Sequence, residues 1–204
     1  MDTGPGLTPA VRELIARTAD HDRSTALHST RVVHLARRVG RAMGLDGPKL
    51  RHVTLVALLH DIGKTEVDRR ILDKPAPLDE AEWRSVRRHP FEGARMVAQF
   101  ADVAHLAPAI RATHERWDGL GYPDGLAGSA IPVASRISFV CDSFDAMVSD
   151  RPYRSAMTLP RALDEIDQEA GRQFCPMAAG ALLDVVSPPW RVLGRPRVGG
   201  LGVL

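Results

Sequence analysis

Cysteine is scarce in this 204-residue chain: there are two, Cys141 and Cys175, and neither has a metal-ligand spacing. The first twenty residues carry Asp2, Arg12, Glu13 and Arg17 and no apolar stretch, so neither a secretory leader nor a lipidation motif is visible. Both thiols are therefore expected to be free, in a cytoplasmic protein. Long hydrophobic runs are missing as well. The longest, such as Leu55 to Leu59, fall far short of the roughly 18 residues a membrane span needs, so no segment is expected to cross a bilayer. An excess of charge of one sign is also absent: the net charge is +2, too little for the concentrated basic face of a nucleic-acid binder. Of the 27 basic residues only Lys49, Lys64 and Lys74 are lysine, so the placement of each draws notice.

What is present is the composition of a soluble globular protein, 44% hydrophobic and 25% charged, with the length of one ordinary domain. Thr8-Pro9 opens a helix to about Ala19, with Thr8 as N-cap and Pro9 in the first turn. From Thr25 to Met43, His28, Val32, Leu35 and Val39 share one helical face, and Gly44 stops the run. A helix from about Pro48 to Ile62 aligns Val53, Val56, Ala57 and His60, with Gly63 read as its C-terminal cap. Asp79 and Glu82 form a capping box for a helix to about Arg88. Further helices are expected from Pro90 to Phe100, Pro108 to His114, Pro132 to Val148, Leu159 to Ala170 and Pro176 to Val186. Between the helix ending at His114 and the one starting at Pro132 lies a run of turn residues, Trp117 to Gly125. No strand-like alternation or internal repeat occurs. The expected fold is all-α: a lead-in helix over 1–20, one helical domain over 21–187, and a Pro/Gly-rich tail over 188–204.

The chemistry-bearing residues gather on these helices. His60-Asp61 ends a buried helix, His28 lies on an apolar face, His89 precedes Pro90, His114 precedes the glycine loop, and Asp142 belongs to a polar stripe with Asp145. A lone histidine on a helix is usually a core residue, and a lone aspartate a cap or a solvated group. Several together, with one adjacent pair, need partners away from water. Metal coordination would satisfy them at once. Imidazole and carboxylate without thiolate suit iron, manganese or another first-row divalent ion, and Asp61 has two oxygens with which to bridge two ions. His21, His34, His52 and His105 have no such cluster and read as structural or solvated.

The segments His28-Ser29-x-Arg31, His60-Asp61-Ile62-Gly63-Lys64, Arg88-His89-Pro90-x-x-Gly93, His114-Glu115-Arg116-Trp117-Asp118-Gly119-x-Gly121-Tyr122-Pro123, Asp142-x-x-Asp145 and Arg151-Pro152-Tyr153-Arg154 resemble the HD-GYP subgroup of HD-domain phosphohydrolases, over about residues 20–186. The resemblance implies a single-domain helical bundle with a glycine-rich GYP loop, and a metal-dependent phosphodiesterase that hydrolyses bacterial cyclic di-GMP to linear pGpG or GMP. It implies two divalent metal ions, Fe or Mn. His28, His60, Asp61 and Asp142 would hold one, and Asp61, His89 and His114 the other. Lys64 would lie near the scissile phosphate, with Asp61 the other catalytic position. Arg151 and Arg154 would grip substrate phosphates and Asp145 would lie near a guanine base. The loop residues Gly121, Tyr122 and Pro123 would border the substrate and offer an exposed ring to a signalling partner. Paired cations of this kind, about 3.5 to 4 Å apart, acidify a water and steady the phosphorus centre.

Three positions depart from the family pattern. Thr113 stands where a first loop histidine is usual, leaving the second metal a donor short. Ser24 replaces a glutamate associated with a third metal. Cys175 replaces an aspartate that would cap the last helix. These leave open a rival reading, a member that binds a cyclic dinucleotide or a partner protein without turnover, and a third, a hydrolase of a different cyclic dinucleotide.

Overall fold

The computed structural model describes residues 7–150 and 155–187; Arg151, Arg154 and the tail over 188–204 lie outside the described residues, as does the side chain of Ser24. Among the described residues ten α-helices follow one another: α1 Pro9–His21, α2 Arg23–Ala42, α3 Gly47–Leu59, α4 Arg69–Leu72, α5 Glu80–Val86, α6 His89–Val97, α7 Ala107–Arg111, α8 Val133–Val148, α9 Leu159–Gln168 and α10 Pro176–Val186. Among the described residues there is no strand, only an isolated bridge between Ala170 and Phe174. No helix among them is long and apolar enough to cross a membrane.

The helix starts follow local chemistry. The Thr8 hydroxyl accepts from the Val11 amide at 3.3 Å, ahead of Pro9 in the first turn. Asp79 and Glu82 make the reciprocal capping box of α5. Cys175 occupies the N-cap of α10 and makes no side-chain cap bond. Both cysteines are buried and free.

The core is aliphatic. α2, α3 and α8 pack against one another, and α10 closes over α2, α8 and α9. Val32, Ala36 and Val39 of α2 meet Val53, Val56 and Ala57 of α3 and Ile137, Val140 and Cys141 of α8, all essentially without solvent contact. Each such side chain contributes roughly 1.5–3 kcal/mol relative to exposure. On α8 the polar stripe is buried too, with Ser138 and Asp145 enclosed beside the apolar one. The bundle thus draws the stripe toward α2 and the end of α3.

Gly63 is not the helix cap expected for it. α3 ends at Leu59, and Gly63 lies in a tight 3₁₀ turn over Ile62–Glu66. It is glycine because α6 crosses so near: a Cβ there would fall 1.9 Å from the His89 carbonyl oxygen and 2.5 Å from the Gly93 nitrogen. Gly93 answers it, with its own Cβ position 3.3 Å from the Gly63 nitrogen. This contact brings His89 next to His60 and Asp61.

Candidate metal centre

Six side chains converge from five places in the chain. His28 comes from α2, His60 and Asp61 from the end of α3, His89 from the first turn of α6, His114 from just beyond α7, and Asp142 from α8. Their ligand-type atoms form two groups, His28 with His60 and Asp142, and Asp61 with His89 and His114, each within 4.8 Å.

Asp61 ties the two groups together. Its Oδ2 lies 3.4 Å from His60 Nε2 and 4.0 Å from His28 Nε2, while Oδ1 lies 3.4 Å from His89 Nε2. His28 Nε2 is 2.9 Å from Asp142 Oδ1. The imidazoles are aimed from behind. His60 Nδ1 donates to the Ala57 carbonyl at 2.9 Å and His89 Nδ1 to the Val86 carbonyl at 2.8 Å, which turns each Nε2 inward as an acceptor. His28 Nδ1 lies 2.7 Å from Asp145 Oδ2, and Arg31 donates to both oxygens of Asp145, at 2.8 and 2.9 Å. Asp145 thus orients His28, with Arg31 behind it, while still lining the adjoining cavity.

Buried polar atoms are normally paired. Here His60 Nε2, Asp61 Oδ1, His89 Nε2 and His114 Nε2 are buried without a partner, and all four belong to the cluster. Nitrogen and carboxylate acceptors left facing one another fit a divalent cation.

Apart from that of His28, the protonation states suit the same role. Burial lowers His89 to about 3 and His114 to about 4, so both are neutral with a lone pair free. Burial works against ionising Asp61, but His60 and the Lys64 ammonium overcome it and hold the carboxyl well below its usual range. Asp142 is likewise held low against burial by its bond to His28. At His28 burial opposes the charge, yet the bonds to Asp142 and Asp145 outweigh it and lift the ring to about 9. Lys64 Nζ donates to Asp61 Oδ2 at 2.6 Å.

The glycine loop folds back on the centre. Glu115 is buried and accepts from the amides of Asp124, Gly125 and Leu126 at 2.6, 3.1 and 3.0 Å. The Tyr122 amide donates to the His114 carbonyl at 3.1 Å. Gly119 and Gly125 take positive φ, 78° and 68°. Gly121 does not; a Cβ there would sit 2.3 Å from the Arg116 nitrogen, so close approach is its reason. The Tyr122 ring is not the exposed ring expected. It stacks on His114 with centroids 5.2 Å apart and planes 3° from parallel. A large exposed apolar side chain of the loop is Leu120, at 77%.

Thr113 is buried, and its hydroxyl donates to the Ile110 carbonyl at 2.8 Å, closing the end of α7. The second group therefore has three candidate ligands. A cavity of about 630 Å³ opens beside the centre, bordered by His28, Arg31, Asp61, Lys64 and Asp145 and by an apolar wall that includes Trp83. Sequence reasoning missed Glu115 as the organiser of the loop and Trp83 on the cavity wall. Of the residues set aside, His34 is exposed, and the His52 and His105 rings lie 5.7 Å apart, away from the cluster.

The HD domain family matches residues 10–176, and the chain belongs to that family. The cyclic di-GMP phosphodiesterase response regulator RpfG of Xanthomonas campestris pv. campestris is 39% identical over 180 residues, 84% of this chain and 47% of that protein. A cyclic di-GMP phosphodiesterase of Pseudomonas aeruginosa is 38% identical over 192 residues, 93% of this chain and 46% of the relative. The crystal structure of a cyclic GMP-AMP specific phosphodiesterase of Vibrio cholerae shares the fold at a TM-score of 0.66 and 20% identity, over 90% of this chain and 50% of the other. The chain spans about half the length of the curated relatives it matches.

Proposed function

We propose that this chain is a metal-dependent phosphodiesterase that hydrolyses cyclic di-GMP to linear pGpG or GMP, using two divalent ions, Fe or Mn. The observation that carries this reading is the set of four buried, partnerless acceptors on His60, Asp61, His89 and His114, divided by Asp61 into two groups. His28, His60, Asp61 and Asp142 would hold one ion, and Asp61, His89 and His114 the other. What ions supply in such a site is an acidified water and a neutralised phosphate charge.

The chain's own residues do the rest. His89 and His114 are neutral and need no proton removed before they ligate. Asp145 and Arg31 fix the His28 ring. Lys64, at the cavity edge, suits a contact to a non-bridging phosphate oxygen as a compact cation. Arg151 and Arg154 are assigned to substrate phosphates on the motif alone. Two free buried thiols fit a reducing, cytoplasmic setting. Leu120, exposed on a loop whose base is fixed, suits contact with a signalling protein.

The deciding experiment is metal analysis of anaerobically purified protein together with turnover of cyclic di-GMP. Two ions per chain and release of linear product are expected; tight binding with no product overturns the enzyme. One observation favours that second reading, a binder without turnover: Thr113 gives its hydroxyl to the Ile110 carbonyl, leaving the second group with three ligands.

A further inference from the structure

The cavity beside the centre has two unlike halves. His28, Asp61 and Lys64 border the polar half, while Ile71, Leu72, Pro77, Leu78 and Trp83 form the other. Nothing assigned so far uses the apolar half. Trp83 is the largest side chain there and is 46% exposed, on a helix that buries none of its residues. A broad apolar ring left half in water beside a polar centre is placed to meet a ligand rather than a core. One turn later on the chain, the Arg87 guanidinium lies 5.7 Å from the indole centroid and 5.7 Å from the Tyr122 ring. Tyr122 in turn stacks on His114. Arg88 and Arg95 are both held by Glu92. Arg87 has no carboxylate partner among the described residues.

We propose that Trp83 and Arg87 form a purine subsite, in which the indole stacks on the base of a nucleotide whose phosphate lies at the metal centre, and the guanidinium bonds the O6 and N7 of guanine. This deepens the phosphodiesterase reading and rests on it. A cyclic dinucleotide joins an anionic phosphate to a flat apolar-faced base, and the cavity offers a polar half and an apolar half side by side. Its volume is that of a small-molecule site. Stacking on an aromatic ring accepts any base. The selection comes from Arg87, whose planar fork matches two acceptors on guanine, whereas adenine presents a donor in place of O6.

The test is steady-state kinetics of the full chain loaded with Mn²⁺, on cyclic di-GMP and cyclic di-AMP. Trp83→Ala is expected to raise KM for cyclic di-GMP about tenfold or more with kcat within about threefold, and Trp83→Phe to restore most of it. Arg87→Ala is expected to lower the preference for cyclic di-GMP over cyclic di-AMP, as kcat/KM, by about tenfold. Unchanged KM in a folded, metal-replete Trp83→Ala protein overturns the stacking role. Should that variant not fold, Trp83→Leu, which keeps bulk without a π-face, takes its place with the same expected KM. An unchanged preference in Arg87→Ala, or a parent chain that takes both nucleotides equally, overturns the guanine contact. If the parent turns over neither, the phosphodiesterase reading fails separately, and calorimetric titration with GMP and AMP judges the subsite. Tighter GMP binding lost in Trp83→Ala then upholds it, and equal affinities for GMP and AMP, or a GMP affinity that Trp83→Ala leaves unchanged, overturn it.

Discussion

Asp61 is the residue on which the centre turns, because its two oxygens face different histidines, Oδ2 toward His60 and Oδ1 toward His89. Asp61→Ala should therefore lower metal content at both groups and abolish turnover, while His34→Ala, on an exposed position, changes neither; elemental analysis of the two proteins decides it. Equal losses would discredit the ligand set. Asp145 acts one step away. Its removal frees the His28 ring, and outer contacts of this kind are worth about 10- to 100-fold in metal affinity; a competitive Mn²⁺ titration of Asp145→Ala should weaken by that factor. Thr113 is engaged with the Ile110 carbonyl, so Thr113→Val should leave metal stoichiometry as it is. The convergence of these side chains was legible in the sequence because imidazoles and carboxylates on buried helical faces require partners. The pairing of Asp145 with His28 and Arg31 was not, since it joins positions more than a hundred residues apart that no local spacing connects.

At the scale of elements, two close approaches shape the site. Gly63→Ala would drive a methyl group into the His89 carbonyl and the Gly93 amide, both backbone atoms that cannot rotate away. Overpacking of that kind costs roughly 1–3 kcal/mol or more, and here it also separates His89 from Asp61. A lower urea midpoint together with lost metal binding is the expected result. The sequence placed a glycine there as a helix cap; the crossing of α6, a tertiary event, is what demands it. The loop has a similar logic. Glu115→Ala would orphan the three amides of Asp124, Gly125 and Leu126. Since hydrogen bonds to a charged group contribute about 1.5–3 kcal/mol each, net of competition with water, amide exchange at those three positions should accelerate well ahead of the rest of the protein. The turn residues announced a rigid loop, but its inward Tyr122 ring depended on stacking with His114, which the motif alone does not encode.

For the whole molecule, the bundle gathers ligands from α2 to α8, so binding of an ion is also a tie between distant helices. Anything that binds the folded chain alone stabilises it, by about 2.7 kcal/mol at a free concentration a hundred times Kd. Thermal unfolding should accordingly shift upward with Mn²⁺ and return on addition of a chelator, and a chain that shows no shift has no such centre. The all-helical architecture was legible from hydrophobic periodicity and caps, as at Thr8 and Asp79. The short α7 ended three residues before expectation because Thr113 and Ile110 close it locally. Surface loops generally absorb extra residues at little cost. The segment from His114 to Leu126 is an exception, because its near end bonds Tyr122 and its far end is clasped by Glu115. One inserted residue would throw those amides out of step and swing an imidazole off its aim, so across chains of this fold the length of that segment should stay constant.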